Sequence, residues 1–343
     1  MFLRRILTGL ILLLIFVAPL SLSAISRGAF LFLTFEPGAR GNGMGRAYTA
    51  VADDAYAMWW NPGATAFNRK GQLAATHIPW LQGSGLNDMF YEYLGWNQYF
   101  EGIGNLNSHI VLFDAGTQEQ TNSMGEYLGL FHSFDIAGAV GYGYEAIPEK
   151  LGVGANFKLI YSYLAPGTGP TETEGKAFSF AFDLGAMYKN VVNVEGLDLG
   201  MVIQNIGPDV TFVDQEQADP SSMVVRLGAA YKVFSSPLNR LIVTAEANKE
   251  LANSDPLFKR FVTGWKNMDE TIYGVGAEYT YLDLIALRGG YFADTDGKIT
   301  GPTFGVGFQY RFDNRYKLSA DFSMVPAGEL TDFNKIFSLG FEF

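Results

Sequence analysis

The chain closes on Lys335-Ile336-Phe337-Ser338-Leu339-Gly340-Phe341-Glu342-Phe343, where every second residue from Phe337 is apolar and the last is a phenylalanine. Successive side chains of a strand point to opposite faces, so Phe337, Leu339, Phe341 and Phe343 share one face and Ser338, Gly340 and Glu342 the other. The same beat recurs upstream. Leu151, Val153, Ala155, Phe157, Leu159, Tyr161 and Tyr163 alternate with Gly152, Gly154, Asn156, Lys158 and Ser162. Phe178, Phe180, Phe182, Leu184, Ala186 and Tyr188 alternate with Ser179, Asp183, Gly185 and Lys189. The pattern returns in residues 225–233, 273–281, 304–312 and 316–324, with Arg226, Lys232, Glu278, Gln309, Arg311, Lys317 and Asp321 on the opposite face. A charge facing hydrocarbon at mid-depth costs about 2–4 kcal/mol, so in a membrane barrel these charges belong in the lumen or near an interface.

Spacing between the alternating runs sets the architecture. Fourteen strands are expected, at about 71–79, 90–100, 103–114, 131–146, 150–164, 176–189, 196–205, 223–234, 240–249, 271–281, 284–293, 302–312, 315–324 and 336–343. Long connections centre on Gly83, Gln118, Gly167, Asp214, Asn253, Asp296 and Gly328, and short ones on Gly102, Pro148, Asn193, Pro237, Asp283 and Asn314. Outer-membrane barrels pair short periplasmic turns with longer extracellular loops, so both termini are expected on the periplasmic side. Residues 126–130 are readable as an extra strand. A soluble β-sandwich would also alternate, but it needs neither aromatic bands, a terminal phenylalanine nor the long and short rhythm. The expected fold is all-β, a transmembrane antiparallel β-barrel of about 14 strands with an N-terminal, partly helical hatch.

The N-terminus adds an export signal. Residues 1–24 carry basic Arg4-Arg5, an apolar run over residues 6–17, then Pro19 and the small residues Ser21, Ser23 and Ala24. This is the layout of a Sec signal peptide, with cleavage expected near Ser23 or Ala24. The run is short for a spanning helix, which needs ~20 residues, and no later segment is long and apolar enough either. Absence of cysteine excludes disulfides, thiolate metal sites, cysteine nucleophiles and a lipidated N-terminal cysteine. A net charge of −11 argues against binding nucleic acid through phosphates. The expected division is residues 1–24 signal, 25–68 hatch and 69–343 barrel, in the bacterial outer membrane.

The block between signal and barrel is rich in glycine and alanine. Residues 46–60 fit a short helix with Ala47, Val51, Ala55 and Met58 on one face, ended by Asn61-Pro62. Its string Gly43-Met44-Gly45, then Ala50-Val51-Ala52-Asp53-Asp54, then Trp60-Asn61-Pro62, resembles the PorV/PorQ family within the wider FadL-like group of outer-membrane barrels. Leu86-Asn87-Asp88-Met89, Gln204-Asn205-Ile206-Gly207-Pro208 and the Ser338-Leu339-Gly340-Phe341 ending extend the resemblance over essentially the whole mature chain. Gly63-Ala64 departs from the family's usual alanine after Asn-Pro. The resemblance implies a non-enzymatic barrel that binds and shuttles exported proteins in type IX secretion and surface attachment. FadL-like relatives imply an alternative, inward transport of hydrophobic small molecules such as long-chain fatty acids past an N-terminal hatch with an Asn-Pro-Ala motif. The partners implied are outer-membrane lipid, the barrel-assembly machinery, exported proteins and secretion-complex subunits, or hydrophobic small molecules; the loops near 115–130, 206–222 and 250–270, the longest, are the expected contact surface.

The other candidate motifs carry less. Gly41, Gly43 and Gly45 lack the preceding strand and βαβ unit of a nucleotide site. Asp53 and Asp54, about 100° apart on a helix, do not converge as a catalytic dyad, and hydrogen bonds to Arg40 or Arg46 are the expectation. His77, His109 and His132 have no zinc spacing and form no serine–histidine–aspartate set. Asp294-Thr295-Asp296-Gly297 reads as a surface turn. Trp80, Trp96 and Trp265 read as packing or interface anchors. Trp59 and Trp60, beside Asn61-Pro62, suit either lumen filling or the lining of an apolar path. No cofactor, metal or catalytic residue is expected. The named candidates are the hatch residues Gly43, Met44, Gly45, Asp53, Asp54, Trp59, Trp60, Asn61 and Pro62, with Phe337, Leu339, Phe341 and Phe343 as a barrel-insertion signal.

Overall fold

Alternation with one apolar and one polar face has a closed solution, a sheet whose last strand pairs with its first, leaving no unpaired edge. The computed structural model takes that form. It describes residues 28–343 other than 83–87, 123, 168–173, 214–217, 267, 295–296, 314 and 329–330. The expected signal, Leu86-Asn87 and the turn centres Gly83, Asp214, Asp296 and Asn314 lie outside the described residues. The strands are β1 (Gln72–Pro79), β2 (Phe90–Phe100), β3 (Gly104–Thr121), β4 (Tyr127–Ile147), β5 (Leu151–Ala165), β6 (Gly175–Tyr188) and β7 (Leu197–Ile206). They continue as β8 (Val224–Ser235), β9 (Asn239–Glu250), β10 (Thr271–Tyr281), β11 (Ile285–Asp294), β12 (Ile299–Phe312), β13 (Tyr316–Pro326) and β14 (Phe333–Glu342). Each pairs antiparallel with its neighbours in sequence, and β14 closes the ring on β1, with Leu73 opposite Phe341 and His77 opposite Phe337.

The two faces divide as the alternation requires. Phe178, Phe180, Phe182, Phe304, Val306, Phe308, Leu339 and Phe337 are exposed on the outer face. Lys158, Asp183, Arg226, Glu246, Glu278 and Arg288 are buried on the inner one. The outer face is therefore the greasy one, and most of the wall's charges lie within the ring.

Three local readings are corrected. The first is the β3–β4 hairpin, whose loop was expected near Gln118 and over residues 115–130. Here β3 runs on to Thr121 and β4 starts at Tyr127, so residues 126–130 lead into β4 and make no extra strand. Thr117-Gln118-Glu119-Gln120-Thr121 is polar on both faces because β2 stops pairing at Asp114, and a ribbon beyond the wall has no greasy side to mark it. A register shift between Asp114 and Thr117 marks the departure. Second, the β11–β12 connection is only residues 295–298, not a long loop. Third, no helix fills residues 46–60. The segment has helical turns at Ala39–Gly43 and Ala57–Trp60 and a 3₁₀ stretch at Pro62–Phe67. Left-handed backbone at Arg46 interrupts the expected helix at its first residue, the Tyr48 and Thr49 amides are taken by the Glu246 carboxylate at 2.8 Å, and the Tyr48 carbonyl closes only a single turn, accepting from the Val51 and Ala52 amides at 2.9 Å.

Residues 28–71 run between the two ends of the barrel. Ala29 pairs with Ser221, in the β7–β8 connection, and Phe35 stacks on Trp80 just beyond β1, with ring centroids 4.1 Å apart. At the opposite end, among the short turns, Gly71 exchanges backbone hydrogen bonds with Phe343. Between these points the segment meets inward side chains all round the ring.

Candidate functional site: the N-terminal segment against the inner wall

Close approach comes first. Gly45 has φ +67°, and a Cβ there would overlap the Val275 carbonyl oxygen. Wall residues Gly274, Gly276 and Gly290 receive the Met44 and Gly45 backbone, and Gly152, Gly154 and Gly185 receive Pro62 and Gly63. A bare strand surface lets backbone lie on backbone, so glycines on both sides mark the two docking patches. Thr303 fastens the first patch, its hydroxyl donating to the Gly43 carbonyl at 3.1 Å and accepting from the Gly45 amide at 2.9 Å.

Charge then fixes the segment in two linked networks. Arg40 donates from Nε and Nη2 to the two oxygens of Glu278, each at 2.8 Å. Its Nη1 reaches the Tyr48 hydroxyl at 2.9 Å, Asp54 at 3.4 Å and Asp53. On the wall, Arg288 donates to Glu278 at 2.7 Å and to Asp321 at 2.6 Å. The second network centres on Arg226, which donates to Gln204 at 2.7 Å, to Glu36 at 3.1 Å and to Glu246 at 3.4 Å. Glu36 also pairs with Arg46. Of the two arginines named for Asp53 and Asp54, Arg40 takes that role and Arg46 turns to Glu36. Protein around Asp53 and Asp54 works against ionisation. It lifts the Asp54 carboxyl above its ordinary value, while the Arg40 guanidinium holds Asp53 below.

The aromatic pair lies within the same packed segment. Trp59 and Trp60 are buried edge-to-face at 5.1 Å, and the Arg226 guanidinium lies 5.0 Å and 5.3 Å from their ring centroids. Trp60 Nε1 donates to the Pro37 carbonyl at 2.9 Å, and Gln204 and Asn156 donate to the Trp59 and Met58 carbonyls at 2.6 Å and 2.7 Å. Asn61 donates to the carbonyls of Thr49 (2.9 Å) and Ala186 (3.1 Å) and accepts from the Gly63 amide at 3.0 Å, capping the turn that Pro62 begins. The candidates Gly43, Met44, Gly45, Asp53, Asp54, Trp59, Trp60, Asn61 and Pro62 thus lie along one segment packed against the inner wall. Phe337 and Leu339 stand apart on the outer face; Phe341 stacks on Tyr316 and Phe343 on Phe341 near the short-turn end.

Sequence reasoning missed the wall partners Glu246, Arg288, Gln204 and Thr303. For the first three the available signal was a single charged or amide residue within a strand on the non-greasy face; for Thr303 there was none. Among the described residues no group of three or more histidine, aspartate or glutamate side chains has metal-site geometry.

A closed ring of fourteen antiparallel strands, apolar outside and polar inside, is the architecture of a β-barrel. Two solved structures share the fold. One is the Pseudomonas putida toluene transporter TodX, 12% identical over 90% of this chain and 97% of that one, with a TM-score of 0.53. The other is the deltaS2 mutant of the TodX monoaromatic hydrocarbon channel, 13% identical over 89% and 96%, with a TM-score of 0.55. The family model described as type IX secretion system protein PorV matches residues 23–257, and the chain belongs to that family. No curated protein matches it in sequence.

Proposed function

We propose that this protein is a non-enzymatic outer-membrane barrel whose N-terminal segment plugs the lumen and whose long loops bind exported proteins or secretion-complex subunits in type IX secretion. Membership of the PorV family supports the secretion role. The observation that carries the mechanism is Arg40, buried and shared between segment and wall. An arginine held by Glu278, Asp53, Asp54 and Tyr48 ties the plug to the wall through charges that would have to separate before a passage opened. Transport of a hydrophobic molecule through the lumen would require that separation; TodX lends its fold to this reading but not its substrate. A barrel that stays shut handles its clients on its outer ends, and a rigid scaffold carrying loops suits that work.

The genetic test is deletion of the gene followed by a survey of the cell-surface proteome. The secretion reading expects proteins with C-terminal sorting domains to be depleted from the surface and retained inside. Normal surface levels, together with lost uptake of a labelled fatty acid, would favour transport instead. Membrane embedding has its own test. Phe182, at the middle of β6 and exposed on the outer face, faces hydrocarbon in this reading. Phe182→Arg is expected to cost about 2–4 kcal/mol in folding measured in lipid vesicles. A change below about 0.5 kcal/mol would place that face outside the bilayer.

A further inference from the structure

A cavity of about 210 Å³ opens at the short-turn end, where the N-terminal segment leaves the ring. Its lining includes Asp53, Phe67, Arg69, Lys70, Lys189 and Glu342. Most of these charges are already engaged. Lys70 donates to Glu342 at 2.7 Å, Arg69 to Glu145 at 2.6 Å and to the Ala66 carbonyl at 2.8 Å, and Asp53 is held by Arg40. Lys189 differs. It sits in the β6–β7 turn with its ammonium 3.9 Å from the centroid of the Phe67 ring, and among the described residues no carboxylate lies within ion-pair distance of it. Burial pulls its pKa below the ordinary lysine value.

We propose that this mouth cavity binds a carboxylate, with the anion on Lys189 and the adjoining apolar group against Phe67. The chemistry of the lining selects the anion. A single ammonium with no carboxylate partner among the described residues matches a single negative charge, whereas a phosphate dianion would set twice that charge against the Asp53 and Glu342 carboxylates in the same small space. The volume suits a headgroup with a few carbons and falls below that of a whole drug-sized ligand. Phe67 distinguishes it from a simple ion trap, since the ring under the ammonium adds apolar surface next to charge. Two sources supply such a group in the periplasm, a small organic acid or the C-terminus of a polypeptide. The site is separate from the loop surface that the secretion reading uses, so it stands or falls by itself.

Equilibrium dialysis with the detergent-solubilised full-length protein tests this. Its probes are radiolabelled propionate and an N-acetylated tripeptide with a free or an amidated C-terminus. Binding of propionate, or of the free but not the amidated peptide, is expected, and which probe binds identifies the source. Lys189→Gln is expected to weaken binding at least tenfold, while Lys189→Arg stays within about threefold. Both variants are expected to keep the heat-modifiable mobility of a folded barrel, because Lys189 makes no ion pair among the described residues. Equal binding of amidated and free peptide, undiminished affinity in folded Lys189→Gln, or no binding by any probe would each overturn the proposal.

Discussion

Arg40→Ala is expected to release the N-terminal segment while leaving the strand ring closed. The substitution removes both bonds to Glu278 and those to Asp53, Asp54 and Tyr48. Breaking a buried ion pair from one side costs ~3–5 kcal/mol when the remaining charge is left alone. Here Arg288 still serves Glu278, so the lower end, about 3 kcal/mol, applies. At 1.4 kcal/mol per tenfold, that raises the undocked fraction by roughly a hundredfold. The chain contains no cysteine, so one placed at Ala50, which is buried, reports undocking by its rate of maleimide labelling. Labelling should accelerate by about that factor in Arg40→Ala, with heat-modifiable mobility unchanged. An unchanged rate would mean that Arg40 does not hold the segment.

Gly45→Ala attacks the same docking by shape. At φ +67° an added Cβ strains the backbone and also drives into the Val275 and Tyr291 backbone. The first effect costs of order 1 kcal/mol and overpacking about 1–3 kcal/mol more. Gly102 separates the two, having φ +75° with nothing within 4 Å of its would-be Cβ. Gly102→Ala should therefore lose about 1 kcal/mol or less in vesicle unfolding titrations. Gly45→Ala should lose clearly more and speed labelling at the same buried cysteine. Equal losses in the two variants would show that Gly45 matters for its dihedral angle and not for its contact with the wall.

These two sites also mark how far the sequence could be read. Alternation of large apolar and small or polar residues is a local property, so the outer face of strands such as β6 was legible residue by residue from Phe178 to Tyr188. The number of strands followed from the rhythm of connections. Pairings between the N-terminal segment and the wall join residues far apart in the chain, Arg40 with Glu278 or Tyr48 with Glu246. No periodicity records them, and the odd charge in mid-strand shows only that a partner exists. The helix expected over residues 46–60 failed for the same reason. Ala47, Val51, Ala55 and Met58 have helical spacing, but the Glu246 carboxylate and the glycine-lined wall offer the backbone better partners than a helix would. The β3–β4 ribbon was misread because, beyond the wall, neither of its faces has a solvent preference to pattern.

The central claim is that the lumen is shut by the chain's own N-terminal segment. Conductance of the purified wild-type protein in a planar lipid bilayer tests it most directly. Insertion without ion-conducting steps is predicted for the wild type, and discrete open-channel steps for Arg40→Ala. Steady porin-like conductance from the folded wild-type barrel would contradict it.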